Sequence, residues 1–175
     1  MSAQRVFGFA GWSGAGKTTL IEGLIPRLVG RGMKVSLLKH AHHGFDLDQP
    51  GKDSFRHRQA GASEVLIGSA RRWALMHELR DEAEPALAQL LARLSPCDLV
   101  LVEGYKRAPI PKLEVHRPAL GKPLLQPDDP YIVAVAADGP VACGVPRFDL
   151  NDPRTIAGFI LEHLDLCHEF PVAAL

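Results

Sequence analysis

The sequence has little that would mark a secreted, membrane-spanning or nucleic-acid-binding chain. Cysteine is sparse: Cys97, Cys143 and Cys167 are odd in number and form no CxxC pair. That argues against a disulfide scaffold or a structural zinc site and for free thiols in a reducing compartment. Charge of one sign is not in excess, with 20 basic and 20 acidic residues. Nothing in that balance favours nucleic acid or an anionic membrane as a partner. No apolar run is long enough to span a bilayer, and the opening MSAQRVFGFAGWSG lacks the stretch and cleavage site of a signal peptide. The expectation is a soluble, cytoplasmic protein. Aromatic residues make up only 6% of the 175 positions, but hydrophobic residues reach 46%, enough for one sizeable core.

What is there is an alternation of short apolar runs and helical patterns. Arg5 to Ala10 reads as a buried strand that leads into a Gly-rich stretch. Leu20, Ile21, Leu24, Ile25, Leu28 and Val29 then recur at helical spacing, with Gly30 and Gly32 as stop signals. Pro26 lies inside that pattern and predicts a kink or an early break. Met33 to Leu38 reads as the next strand, completing a βαβ unit. Residues 40–61 read as loop, with a short helix from Asp53 to Ala60. Glu64 to Ile67 and Trp73 to His77 suggest a hairpin. Leu87, Leu90, Leu91 and Leu94 mark an amphipathic helix, and Leu99 to Val102 a central parallel strand. Six prolines between Arg107 and Pro130 predict mostly loop, with Lys112 to His116 as a short strand inside it. Tyr131 to Ala137 reads as another buried strand, and Asn151-Asp152-Pro153 as a helix start. The expected fold is α/β: a single P-loop domain over residues 1–175, with a mostly parallel sheet flanked by helices and a small β-hairpin extension.

Gly11-Trp12-Ser13-Gly14-Ala15-Gly16-Lys17-Thr18 matches G-x-x-x-x-G-K-[ST] in full. Glycines let successive N–H groups turn inward around phosphate oxygens, and the following helix points its partial positive end at the same anion. Gly11, Ser13, Gly14, Ala15, Gly16, Lys17, Thr18 and Thr19 are the expected triphosphate-binding residues. In this reading Lys17 reaches the β- and γ-phosphates, Thr18 offers its hydroxyl to Mg²⁺, and Thr19 meets the α-phosphate. Glu103 closes the apolar run Leu99 to Val102 at the end where open α/β sheets bind ligands. It is the second candidate for holding Mg²⁺, through water and across from Thr18. Asp98 begins the same strand and belongs at its far edge.

The block from Lys39 to Ser54 is rich in His and Asp. Three readings stand side by side. Asp53 or Asp46 orients water or Mg²⁺ near a γ-phosphate; His40 and His42 share a strand face as metal ligands; or the block is a solvated loop. Asp138 follows the strand of Tyr131 and reads as a turn aspartate, because no N-K-x-D motif accompanies it. Arg56, Arg58, Arg71, Arg72, Lys106 and Arg107 are candidates to line an anionic groove. Val65, Ile67, Trp73, Leu75 and Phe45 make either an apolar patch or core.

GWSGAGKTTLIEGLI at 11–25, KHAHHGFDLDQPGKDSFRHRQAGA at 39–62 and LVEGYK at 101–106 together resemble the molybdopterin-guanine dinucleotide biosynthesis adapter, or MobB, family. The second block is the most specific, because a generic P-loop protein has no reason to carry it. The resemblance implies a GTP-binding, usually dimeric protein with weak GTP hydrolysis. Such proteins work with the guanylyltransferase that attaches GMP to molybdopterin. It implies triphosphate binding by Gly14 to Thr19 and Mg²⁺ binding by Thr18 and Glu103; base specificity rests on the resemblance alone. Lys17 and Asp53 are the residues expected to serve hydrolysis. The competing expectation is a small-molecule kinase using ATP or GTP, which needs the same loop and Mg²⁺ plus an acceptor pocket.

Overall fold

A computed structural model describes residues 4–41 and 44–170. In chain order its elements are β1 (Val6–Ala10), α1 (Lys17–Val29), β2 (Val35–Lys39), α2 (Asp53–Gln59), β3 (Glu64–Gly68), β4 (Trp73–His77), α3 (Leu87–Leu91), β5 (Leu99–Glu103), β6 (Lys112–His116), β7 (Ile132–Ala137), β8 (Arg147–Asp149) and α4 (Pro153–His163). The chain forms two compact units, one from residues up to 40 and from 87 onward, the other from 41–86.

The larger unit is a six-stranded parallel sheet of order β2-β5-β1-β6-β7-β8. β1, β5 and β7 read as apolar runs because both sheet faces are covered there. On one face Phe7, Phe9, Leu101 and Leu113 pack with Leu24 and Leu28 of α1 and Ile156 and Ile160 of α4. On the other, Leu38, Val100 and Val102 meet Leu87, Leu90, Leu91 and Leu94. All four leucines are thus used, although the α-helix ends at Leu91 and Leu94 lies in a following turn bonded to the Leu91 carbonyl. Asp152 starts α4 by accepting the N–H groups of Arg154 and Thr155 at 3.1 Å each. This is the arrangement of a P-loop NTPase sheet.

One expectation needs correction. The early break at Pro26 does not occur, and α1 continues to Val29. Pro26 and Glu22, whose carbonyl loses its helical donor, both face solvent, so water can serve that oxygen. Lys112 to His116 forms the expected strand, and it is a fully buried one between β1 and β7. Lys112, Glu114 and His116 alternate with apolar residues and hide a central strand from a hydrophobicity pattern.

The smaller unit holds α2 and the antiparallel hairpin β3–β4. Its interior is tied by Arg58, whose guanidinium donates to both oxygens of Asp46 at 2.8 Å and to Glu78 at 2.6 Å. Of the candidates for a patch or core, Ile67, Trp73, Leu75 and Phe45 are exposed and Val65 is half-buried; Leu66 is exposed as well.

Candidate functional site

The site is assembled at the carboxyl ends of β1, β5 and β2. The parallel register sets Phe9 and Lys39 beside Glu103, so the end of each strand delivers one participant to one place. At this point the chain turns from one side of β1 to the other, where open α/β sheets hold ligands.

The loop after β1 needs its glycines. Gly11 has φ +143°, and a Cβ there would come within 2.4 Å of the Val115 carbonyl oxygen. Gly16 is in the left-handed region at φ +99° and serves as N-cap of α1. It offers no side-chain cap, and the first turn of α1 carries no acid. The first N–H groups of the helix are therefore left to an outside acceptor, which is what an anion site requires. The ammonium of Lys17 folds back over the loop and donates to the carbonyls of Gly11 at 3.0 Å and Trp12 at 2.9 Å. Partial burial lowers its pKa below that of an ordinary lysine; nearby Glu103 opposes this, while Lys106 and Lys39 add to it.

Glu103 is 6% exposed. Its Oε1 accepts the Thr18 hydroxyl at 2.8 Å, and its Oε2 lies 3.4 Å from the ammonium of Lys39. Both the Thr18 hydroxyl and the Glu103 carboxylate are hard oxygen donors of the type Mg²⁺ takes, directly or through water. Asp98 sits at the opposite end of β5, where it accepts the Lys34 N–H at 2.6 Å.

Sequence reasoning passed over two groups here. Lys39 offsets the buried Glu103 charge, and its only signal was its place at the end of β2. Arg117 follows β6; its Nε–H donates to the Ala15 carbonyl at 3.0 Å and its Nη1 lies 3.2 Å from Asp138. That guanidinium also packs 3.2 Å from where a Gly16 Cβ would be. Asp138 is therefore a partner of the residue that braces the loop. A cavity of about 210 Å³ opens beside Gly16, Thr19, Arg117, Asn151 and Pro153. Ser13, Gly14, Thr18 and Thr19 are exposed at the loop mouth, and Ala15 is buried beneath it.

Several other candidates, Asp53, Arg56, Arg58, Arg71 and Arg72, belong to the smaller unit. Asp53 is the first residue of α2 in the smaller unit, with its carboxylate exposed and 3.8 Å from Arg56. His42 and His43 lie outside the described residues. Among the described residues no group of three His, Cys, Asp or Glu side chains could hold a metal, so that reading of His40 gains no support. Of the arginines proposed for an anionic groove, Arg58 is taken up by Asp46 and Glu78.

Comparison with known proteins agrees with this geometry. The family described as Molybdopterin guanine dinucleotide synthesis protein B matches residues 6–138. A molybdopterin-guanine dinucleotide biosynthesis adapter protein of Escherichia coli is 45% identical over 88% of this chain and 90% of its own length. One of Haemophilus influenzae is 43% identical over 93% of this chain and 91% of its own. The crystal structure of a molybdopterin-guanine biosynthesis protein B, 30% identical, superposes with a TM-score of 0.73 over 91% of this chain and 99% of that one.

Proposed function

Because this chain belongs to the family of molybdopterin guanine dinucleotide synthesis protein B, we propose that it is a GTP-binding adapter of molybdenum cofactor biosynthesis. In this reading it is a cytoplasmic protein with slow, Mg²⁺-dependent GTPase activity that assists the molybdopterin guanylyltransferase and comes into contact with molybdopterin. The observation that carries the nucleotide reading is the Thr18–Glu103 contact at the mouth of an uncapped, acid-free helix start. The loop amides of Ser13 to Thr19 and the Lys17 ammonium hold the triphosphate, and Thr18 and Glu103 hold Mg²⁺. When bound, the ion neutralises charge building on the phosphate oxygens. For Lys17 to reach the anion it must leave the Gly11 and Trp12 carbonyls. The cavity beside Gly16 and Thr19 suits the nucleoside, because it continues from the α-phosphate end of the loop. The preference for GTP over ATP follows from the family alone.

Slow turnover is argued from what surrounds the loop. Arg117 braces Ala15 and Asp138 and is not aimed at the γ-phosphate end. Of the two carboxylates considered for positioning water, Asp46 has both oxygens on Arg58, which leaves Asp53 as the candidate. The exposed apolar side chains Leu66, Trp73 and Leu75 of the hairpin support self-association as a homodimer.

Titration with GTP and ATP, with and without Mg²⁺, tests the nucleotide reading; phosphate release tests the GTPase, with Asp53→Asn expected to slow it. Co-purification with the guanylyltransferase tests the adapter role, and sedimentation tests the dimer. A strong preference for ATP, or phosphate transfer to a small molecule, would replace the adapter by a kinase.

A further inference from the structure

Two ammonium groups from separate loops stand over one indole of the phosphate-binding loop. Lys106 Nζ is 4.8 Å from the Trp12 ring centroid and Lys122 Nζ is 5.8 Å. Among the described residues neither lysine has a carboxylate within ion-pairing distance. Like charges gathered at one ring repel each other, and an aromatic face offsets that only in part.

The placement is built from below by β6. Lys112 is 1% exposed, and its ammonium donates to the carbonyls of Lys106 at 3.0 Å and Ala108 at 2.7 Å. Two residues on, fully buried Glu114 accepts the N–H groups of Leu125 and Gln126 at 2.8–3.0 Å. One strand face thus fixes the segment bearing Lys106 through a buried cation and the segment bearing Lys122 through a buried anion. Trp12 closes the arrangement: its indole N–H donates to the Pro123 carbonyl at 2.8 Å. Burying charge is costly, and here it anchors two loops whose shared product is a pair of cations on Trp12 with no carboxylate beside them among the described residues.

We propose that Trp12, Lys106 and Lys122 form a second anion site that takes a phosphate monoester, separate from the triphosphate held by the loop. The loop amides, Lys17 and Thr18 already answer the triphosphate, whereas the Trp12 side chain is turned toward Pro123 and the two lysines. Two adjacent ammonium groups match the double charge of one phosphate monoester. A protein surface would call for cations spread more widely than one ring.

Trp12 and Trp73 are the only tryptophans, so Trp73→Phe leaves Trp12 as the sole indole reporter. In that background glycerol 3-phosphate is titrated into the Mg²⁺–GTP-saturated protein and into the free protein. A saturable change in Trp12 emission is expected in both. Lys106→Gln with Lys122→Gln should weaken that binding by about tenfold or more; Lys122→Gln alone, which leaves Lys106 beside Lys17, should also weaken it while GTP affinity moves less than about twofold. No saturable response, competition between glycerol 3-phosphate and GTP, or a tenfold loss of GTP affinity in Lys122→Gln would overturn the proposal. So would tighter binding of a polyglutamate peptide than of the phosphate ester. The free-protein arm, compared between the parent and the double variant, reads the site without nucleotide. A failure to bind GTP therefore counts against the function proposed above and not against this site.

Discussion

The Thr18 hydroxyl donates to Glu103 Oε1 across 2.8 Å, joining the first turn of α1 to the end of β5. The two residues are 85 positions apart, yet the fold brings them within one hydrogen bond at the mouth of the loop. Glu103→Gln keeps the size and an acceptor for Thr18 but removes the charge. GTP affinity in EDTA should change little, and the gain on adding Mg²⁺ should fall by about tenfold or more. Calorimetric titration under both conditions checks this. An undiminished Mg²⁺ effect would remove Glu103 from the metal site.

Lys17 gives a pH dependence of defined sign. Burial, with Lys106 and Lys39 nearby, holds its pKa below the ordinary lysine value in the free protein. A bound polyanion favours the charged form and raises that pKa. Between the two values the complex holds more protons than the free protein, so GTP affinity falls as pH rises through that alkaline window. Proton uptake on binding, measured by calorimetry in buffers of different ionisation enthalpy, should accompany it. Lys17→Ala should abolish most triphosphate affinity and this pH response together. An unchanged affinity would refute the loop as the site.

Lys112 carries a stability prediction. It is buried in β6, donates to two carbonyls and lies 2.7 Å from Asp129. Lys112→Met keeps the stem but leaves Asp129 and two carbonyls without their cation. Removing one partner of such a pair costs about 3–5 kcal/mol. Urea unfolding should show that loss with little change in slope. Gly8→Ala should destabilise by a different route, because its Cβ would lie 2.6 Å from Lys112 Cγ. A near-neutral Lys112→Met would mean the charge network is not holding this region.

The loop, α1 and the all-apolar strands were legible because local chemistry dictates them. Glycines at 11, 14 and 16 occupy positive φ, and Leu99 to Val102 is buried on both faces. Glu103 was legible as a strand end because a carboxylate closing an apolar run has few other places to go. β6 is legible as a strand but not as a buried one, because Lys112, Glu114 and His116 read as surface until their partners are known, and those partners are distant in sequence or on the backbone. Lys39 and Arg117 were missed for a related reason: each acts on a residue brought beside it only by strand register or by the loop's return. The compact unit of residues 41–86 was not marked by any linker composition.

That smaller unit holds a second pH response. His77 on β4 lies 2.8 Å from Glu64 on β3 and 3.3 Å from Glu82. Hydrogen bonds to Glu64 and then Glu82 raise its pKa above the usual histidine value, with burial a weaker opposing effect. The folded hairpin therefore holds its proton to higher pH than the unfolded chain does. The stabilisation is fully present below the unfolded value of 6.5 and is lost as pH rises through the raised folded value. Because Glu64 and His77 are directly opposite in the hairpin register, the pair fastens its open end. Amide exchange in β3 and β4 should accelerate between mildly acidic and mildly alkaline pH by more than the intrinsic chemical change. Exchange in β1, β5 and β7 should follow the intrinsic change alone. His77→Gln should remove the excess in the hairpin; if the excess persists in that variant, another group controls the opening.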